Sequence, residues 1–264
     1  RAGPGVEFVD GGGTGYNVNG LINVPLGDIA AFRGSGFYRK RAGWVDANPQ
    51  DVTFSGLLGG SFVATSVDDE NTNDNQSWGG RGSILVQPTE ELTIRLTALL
   101  QNLNTHGSSS VEVDPVTLDQ TNGKFGQTSF IPEFNHFKYR IYNATFEYDL
   151  GFASLLSATS YGKLNSSFLT DLTAAVGSNF NTFVGPFSPF PGGISAGTPG
   201  YPFPFDWPAQ VSTQPLGFFQ SQLTGLKKFT QEFWLASPSN DRFEWMVGAY
   251  YTKEDGVIDQ HIRA

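Results

Sequence analysis

Along "NVNGLINVPLGDIAAFRGSGFYRK" (Asn17 to Lys40) the chain changes side every second residue, turns on Pro-Leu-Gly-Asp, and changes side again. Tyr16, Val18, Gly20, Ile22 and Val24 fall on one face of the first segment; Asn17, Asn19, Leu21 and Asn23 fall on the other. After the turn, Ala30, Phe32, Gly34, Gly36 and Tyr38 oppose Ala31, Arg33, Ser35 and Phe37. A period of two places alternate side chains on opposite faces, so this pattern predicts a hairpin with one apolar and one polar face.

The unit recurs. Trp78, Ile84, Val86, Leu92, Ile94, Leu96, Ala98 and Leu100 stand against Arg81, Ser83, Gln87, Thr93, Arg95, Thr97 and Gln101. Tyr142, Ala144, Phe146 and Tyr148 stand against Asn143, Thr145 and Glu147. Phe233, Leu235, Trp245, Val247, Ala249 and Tyr251 stand against Glu232, Glu244 and Tyr250, with Gln231 and Trp234 out of phase. "GVEFVD", ahead of a tight turn at Gly11-Gly-Gly, predicts the end of one more strand. Between hairpins the connections are long (41–76, 103–136 and 164–228), whereas within them they are tight. Long loops at one end and short turns at the other are the layout of a membrane barrel, and each strand is long enough to cross a tilted path through a bilayer. The expected fold is all-β: an antiparallel transmembrane barrel of which about eight or nine strands are visible, the apolar face meeting lipid. A soluble sandwich is the competing fold, but its strands are shorter and its turns fall every 8 to 12 residues.

Composition sharpens this picture. The chain has 32 Gly, 15 Pro and 23 Phe in 264 residues, no Cys and 16% charged residues, which favours strands and turns over helices. A net charge of -9 argues against a nucleic-acid partner. Mean hydropathy is -0.23, and no apolar run reaches the length of a membrane helix. Barrel strands average near neutral, so this does not count against a membrane location.

Several segments resemble the barrel domain of TonB-dependent outer-membrane receptors: "NVNGLINVPLGDIAAFRGSGFYRKRAGWVD", "GGRGSILVQPTEELTIRLTALLQ" and "FTQEFWLASPSNDRFEWMVGAYYTKED". Asn23-Val-Pro-Leu is similar to the family's first inner turn, and Phe229-Thr-Gln-Glu with Leu235-Ala-Ser-Pro to a mid-barrel hairpin. The resemblance implies a 22-stranded barrel plugged by a globular domain, located in a bacterial outer membrane. It implies import of a scarce small molecule (a ferric siderophore, cobalamin or an oligosaccharide) driven through the TonB system, with outer-membrane lipid and lipopolysaccharide around the wall. On this reading residues 1–264 are part of the barrel domain. The plug and the C-terminal strands lie outside the chain, which ends at Asp259-Gln-His-Ile-Arg-Ala in an outer loop. The alternative is a structural or adhesive barrel that binds a partner through its long loops.

Candidate chemistry is sparse. His106, His136 and His261 are scattered, and no nucleophile motif or phosphate-binding loop is present, so no enzyme activity, catalytic residue, metal or cofactor is expected. The acidic run "DDENTNDN" (Asp68 to Asn75) lacks the Gly and closing Glu of a calcium loop and is expected to be a solvated loop. Arg33, Arg81, Arg95, Glu147 and Glu232 are expected to face the lumen, where they either guide an anionic ligand or hydrogen-bond the plug and one another. The segment Asn179 to Gln210 spaces its aromatics with Pro and Gly. Tyr201, Phe203, Phe205 and Trp207 are the candidate ligand-binding residues there, because stiffly held rings suit stacking on a flat ligand.

Overall fold

The period-two segments form strands, and the strands form one sheet. The computed structural model describes residues 1–55, 61–173, 219–238 and 243–263. Nine strands make the main sheet: β1 (Ala2–Phe8), β2 (Thr14–Pro25), β3 (Ala30–Arg41), β7 (Asn75–Val86), β8 (Leu92–His106), β10 (Phe134–Asp149), β11 (Ser154–Asp171), β12 (Phe219–Ala236) and β13 (Met246–Arg263). They pair in that order, each antiparallel to the next, as an uninterrupted meander. All the elements named here are strands.

Short turns at one end of the sheet join β2 to β3, β7 to β8 and β10 to β11, and at the same end the longer connection 237–245 joins β12 to β13, where the alternation suggested a tight turn. Gly27 and Gly151 take φ of +82° in two of these turns, a conformation that costs an L-residue about 1–2 kcal/mol. The other end carries the turn through Gly11 and the long connections 42–74, 107–133 and 172–218.

Two of those connections fold against each other. Segment 42–74 contains β4 (Asp46–Ala47), β5 (Asp51–Ser55) and β6 (Ser61–Thr65), and 107–133 contains β9 (Gly126–Gln127). β4 pairs with β9 in parallel, β5 with β6 in a hairpin, and Trp44 meets Phe125 edge-on at 5.3 Å. Val45 is completely buried here. The buried Asn73 accepts hydrogen bonds from the Trp44 and Val45 amides at 2.7 and 3.0 Å. The acidic run is split: Asp68, Asp69 and Glu70 are exposed, as a solvated loop would have them, while Asn73 is spent on backbone amides that would otherwise lie unpaired under the loops.

The main sheet has no such core. Val45 aside, the buried apolar residues among those described are only Ala42, Ala47 and Ala153. The long strands form a single layer with both faces uncovered, and the large apolar side chains of one face stay open: Leu96 is 46% exposed and Phe233 48%.

The strands also run further than alternation suggests. β11 extends to Asp171, β12 starts at Phe219 and β13 continues to Arg263, so Asp259–Arg263 is strand and not outer loop. At these loop-side ends both faces are largely polar, and the contrast that marks a strand in sequence disappears. The sheet is open: β1 has β2 as its one neighbour and β13 has β12, and the two do not pair. The described residues thus form an open antiparallel sheet and no closed barrel.

Candidate functional site: the two faces of the sheet

Residues directly opposite in an antiparallel ladder share a face. Following the register at mid-sheet gives Asn23, Arg33, Ser83, Thr97, Asn143, Ser160, Thr230 and Thr252 in one row across eight strands. Every member is polar. The Ser83 and Thr97 hydroxyls share a hydrogen bond at 2.9 Å, and the Asn143 amide donates to Ser160 Oγ at 2.8 Å.

One residue along, the facing row is Val24, Phe32, Ile84, Leu96, Ala144, Thr159, Gln231 and Tyr251. Its two polar members close on each other. Thr159 Oγ1 donates to Gln231 Oε1 at 2.5 Å, and Gln231 Nε2 donates to Ser157 Oγ at 3.1 Å. A shallow hollow on this face, over Gly82 and Ala98, is walled almost wholly by carbon.

The register places Arg33, Arg81, Arg95, Glu147 and Glu232 together on the polar face. It does not bring them into contact with one another. The side chains of Arg33, Arg81, Arg95 and Glu147 make no hydrogen bond or ion pair among the described residues, and Glu232 accepts from Trp234 Nε1 at 3.2 Å. The charges that do pair on this face are Lys228 with Glu254 at 3.2 Å, and Arg39 with Glu7 at 3.3 Å. Sequence reading missed both pairs, although carrying the alternation two or three residues past each hairpin's apolar zone would have put all four on the polar side. Tyr201, Phe203, Phe205 and Trp207 lie outside the described residues.

The apolar face has an oblique upper limit. Toward the loops, its last large apolar residue is Tyr16 on β2, Tyr38 on β3, Trp78 on β7 and Leu100 on β8. On the other four strands it runs through Tyr142 on β10, Tyr161 on β11, Phe229 on β12 and Tyr251 on β13, each the last large apolar residue before a cation on the same face. Seven of the eight are aromatic, and Phe8 on β1, opposite Thr14, is the next step of the line. Tyr16 is level with His136 of β10, and Tyr251 is level with Ala144. The line therefore slides eight residues, about 27 Å, over seven interstrand steps, about 34 Å, and crosses the rows at about 39°. Beyond it the same face is mostly polar, with Phe134, Leu169, Phe219, Leu223 and Val257 as apolar exceptions.

No protein-family model matches this chain, and no curated protein or solved structure does.

Among the described residues no three acidic, His or Cys side chains gather in a way that could hold a metal ion. At the loop end, Asp74 meets His106 Nδ1 at 2.5 Å and Lys40 Nζ at 3.6 Å, so His106 is a strand-end residue hydrogen-bonded to a carboxylate that also pairs with Lys40. Burial pushes the Glu133 carboxyl above its usual range, assisted by the nearby Asp171 carboxylate and opposed by a hydrogen bond from the Asp171 amide. Backbone amides of Thr117 and Val116 hold the Asp114 carboxyl below its usual range, which marks a tight turn.

Proposed function

We propose that this sheet is barrel wall of an outer-membrane receptor of the TonB-dependent kind, with its apolar face against lipid and its polar face lining the lumen. The oblique aromatic line carries the reading. In a transmembrane barrel the strands tilt by about 35–45°, so a flat membrane surface must cut the hydrogen-bonded rows at that same angle. The line crosses them at about 39°, within that range, and is built of the residues that anchor at membrane–water boundaries.

Other features agree. Eight of the nine main strands have 12 or more residues, beyond the 9–11 a tilted crossing requires. The polar groups on the apolar face satisfy one another, as hydrocarbon demands. No helix among the described residues is long and apolar enough to cross a membrane, so strands would do the crossing.

The resemblance of the strand segments to TonB-dependent receptors makes the activity ligand import: a scarce nutrient such as a ferric siderophore enters past the loops and along the polar wall, with no covalent chemistry. Arg33, Arg81 and Arg95 leave three uncompensated cations on that wall for an anionic ligand or for a plug domain to meet. The test is uptake of a labelled ferric siderophore by cells carrying the full protein, with and without collapse of the inner-membrane proton gradient. Gradient-dependent uptake supports import. Surface binding of a protein partner with no uptake would replace it by the adhesive reading.

A further inference from the structure

The first outward residue past the aromatic line is Thr14 on β2, Lys40 on β3, Gln76 on β7 and Asn102 on β8. On the next four strands it is a cation every time: Arg140 on β10, Lys163 on β11, Lys227 on β12 and Lys253 on β13. Arg140 lies directly opposite Lys163, and Lys163 directly opposite Lys227. Like charges in directly opposed positions destabilise a sheet, since their Cβ atoms stand only about 4.5–5.5 Å apart.

Little on this face offsets that repulsion. By register, β8, β10 and β12 present no acidic residue on it, and β11 presents only Asp171 at its far end. Asp255, level with Lys227, approaches Lys253 instead, at 3.9 Å. Lys163 and Lys227 are exposed and have no hydrogen-bond or ion-pair partner among the described residues. The Arg140 guanidinium is fixed by its own sheet, donating to the Gln101 and Tyr139 carbonyls and to Asn102 Oδ1 at 2.7–2.8 Å. Asn102 is 4% exposed and its Nδ2 has no acceptor, which leaves one unmatched donor beside the cations.

We infer that Arg140, Lys163, Lys227 and Lys253 form a site for phosphate-bearing lipid headgroups in the leaflet on the loop side of the membrane. The inference rests on the membrane reading above. Position selects a lipid as the source of the phosphate. Tyr142, Tyr161 and Phe229 lie one row below the three level cations. From Lys163 to Leu155, and from Lys227 to Leu235, is eight residues along each strand, about 27 Å, or about 21 Å of height at a tilt near 40°. The cations thus sit at the edge of an apolar band of roughly the expected 25 Å. A headgroup there neutralises the row while its acyl chains run down the apolar face.

The test uses the full protein and a double variant, Lys163→Gln with Lys227→Gln, which keeps long polar stems; Arg33→Gln with Arg81→Gln on the opposite face is the charge-matched control. Each is inserted into phosphatidylcholine vesicles, and association of spin-labelled phosphatidylglycerol is measured. The expected result is about fivefold weaker association per cation removed, so about 30-fold for the lysine pair, with the control unchanged. In pure phosphatidylcholine the lysine variant should unfold no earlier than the native protein, because the repulsion is gone. Equal association in all three proteins overturns the site and leaves the membrane reading intact. Inorganic phosphate that competes as well as the lipid overturns the lipid as the source. Failure of the native protein to insert overturns the membrane reading and the site with it.

Discussion

Neighbouring residues on one strand of this sheet lie on faces of opposite character. Leu96 and Thr97 are adjacent in β8, yet one joins the apolar row and the other the polar row. Arginine in place of Leu96 or Ile84 should cost about 2–4 kcal/mol near the bilayer midplane, whereas Thr97→Arg should be tolerated. Equilibrium unfolding in vesicles reads the difference, and equal costs on the two faces would point to a soluble two-sided core. Under the loops the constraint is space. A Cβ on Gly126 would run into the carbonyl of Asn122, which is backbone and cannot step aside, so Gly126→Ala should cost about 1–3 kcal/mol of loop stability. Limited proteolysis across 107–133 checks it.

Glu133 allows a pH prediction at the same scale. Its folded pKa is raised above the unfolded one, so the ionised carboxylate costs stability at neutral pH. That cost fades as the pH falls through the raised value and is gone once the unfolded carboxylate is protonated as well. Glu133→Gln keeps an acceptor for the Asp171 amide and removes the charge. It should protect that amide from exchange more than the native residue does near neutral pH, and equally at acid pH.

Among elements, the hairpins differ in how much of them could be read. In β2, β3, β7, β8 and β10 the alternation of Val18/Asn19, Phe32/Arg33 or Phe146/Glu147 announces both strand and face. Above the aromatic line that contrast fails: Lys163, Asn165 and Ser167 stand against Leu164, Ser166 and Phe168, and neither set reads as apolar. β11, β12 and β13 therefore run on where the sequence suggests loop. The loop packing was equally hidden. Asn73 and Gln127 reach the Trp44–Val45 amides and the Thr72 hydroxyl, and only folding brings those partners together. At the short turns the local signal suffices. Replacing Gly151, at φ of +82°, with Ala should cost about 1–2 kcal/mol, seen as slower formation of the β10–β11 hairpin in refolding with little change elsewhere.

For the whole molecule the open edges set the main constraint. In hydrocarbon each unpaired backbone group costs several kcal/mol, so β1 and β13 must both be covered by further strands when the sheet is in a membrane. They cannot cover each other in the same pattern. With nine strands in a meander, β1 and β13 run in the same direction, and closing on each other would require a parallel pair in an otherwise antiparallel wall. The native chain has no Cys, so a cysteine pair at Gly5 and Val257 reports on closure cleanly. Oxidation in vesicles should yield no cross-linked monomer, and a monomeric disulfide would mean a small closed ring.

What the sequence determined by itself is local: which segments are strands, which side chains share a face, and which connections are short. Those follow from side-chain alternation and turn chemistry within a few residues. Tertiary structure decided what depends on register between strands. It put five separated charges on one polar face without pairing them with one another, and set four cations side by side past the apolar band. It also aligned seven aromatics along a line near 39°, an angle that exists only once the strands are laid beside one another.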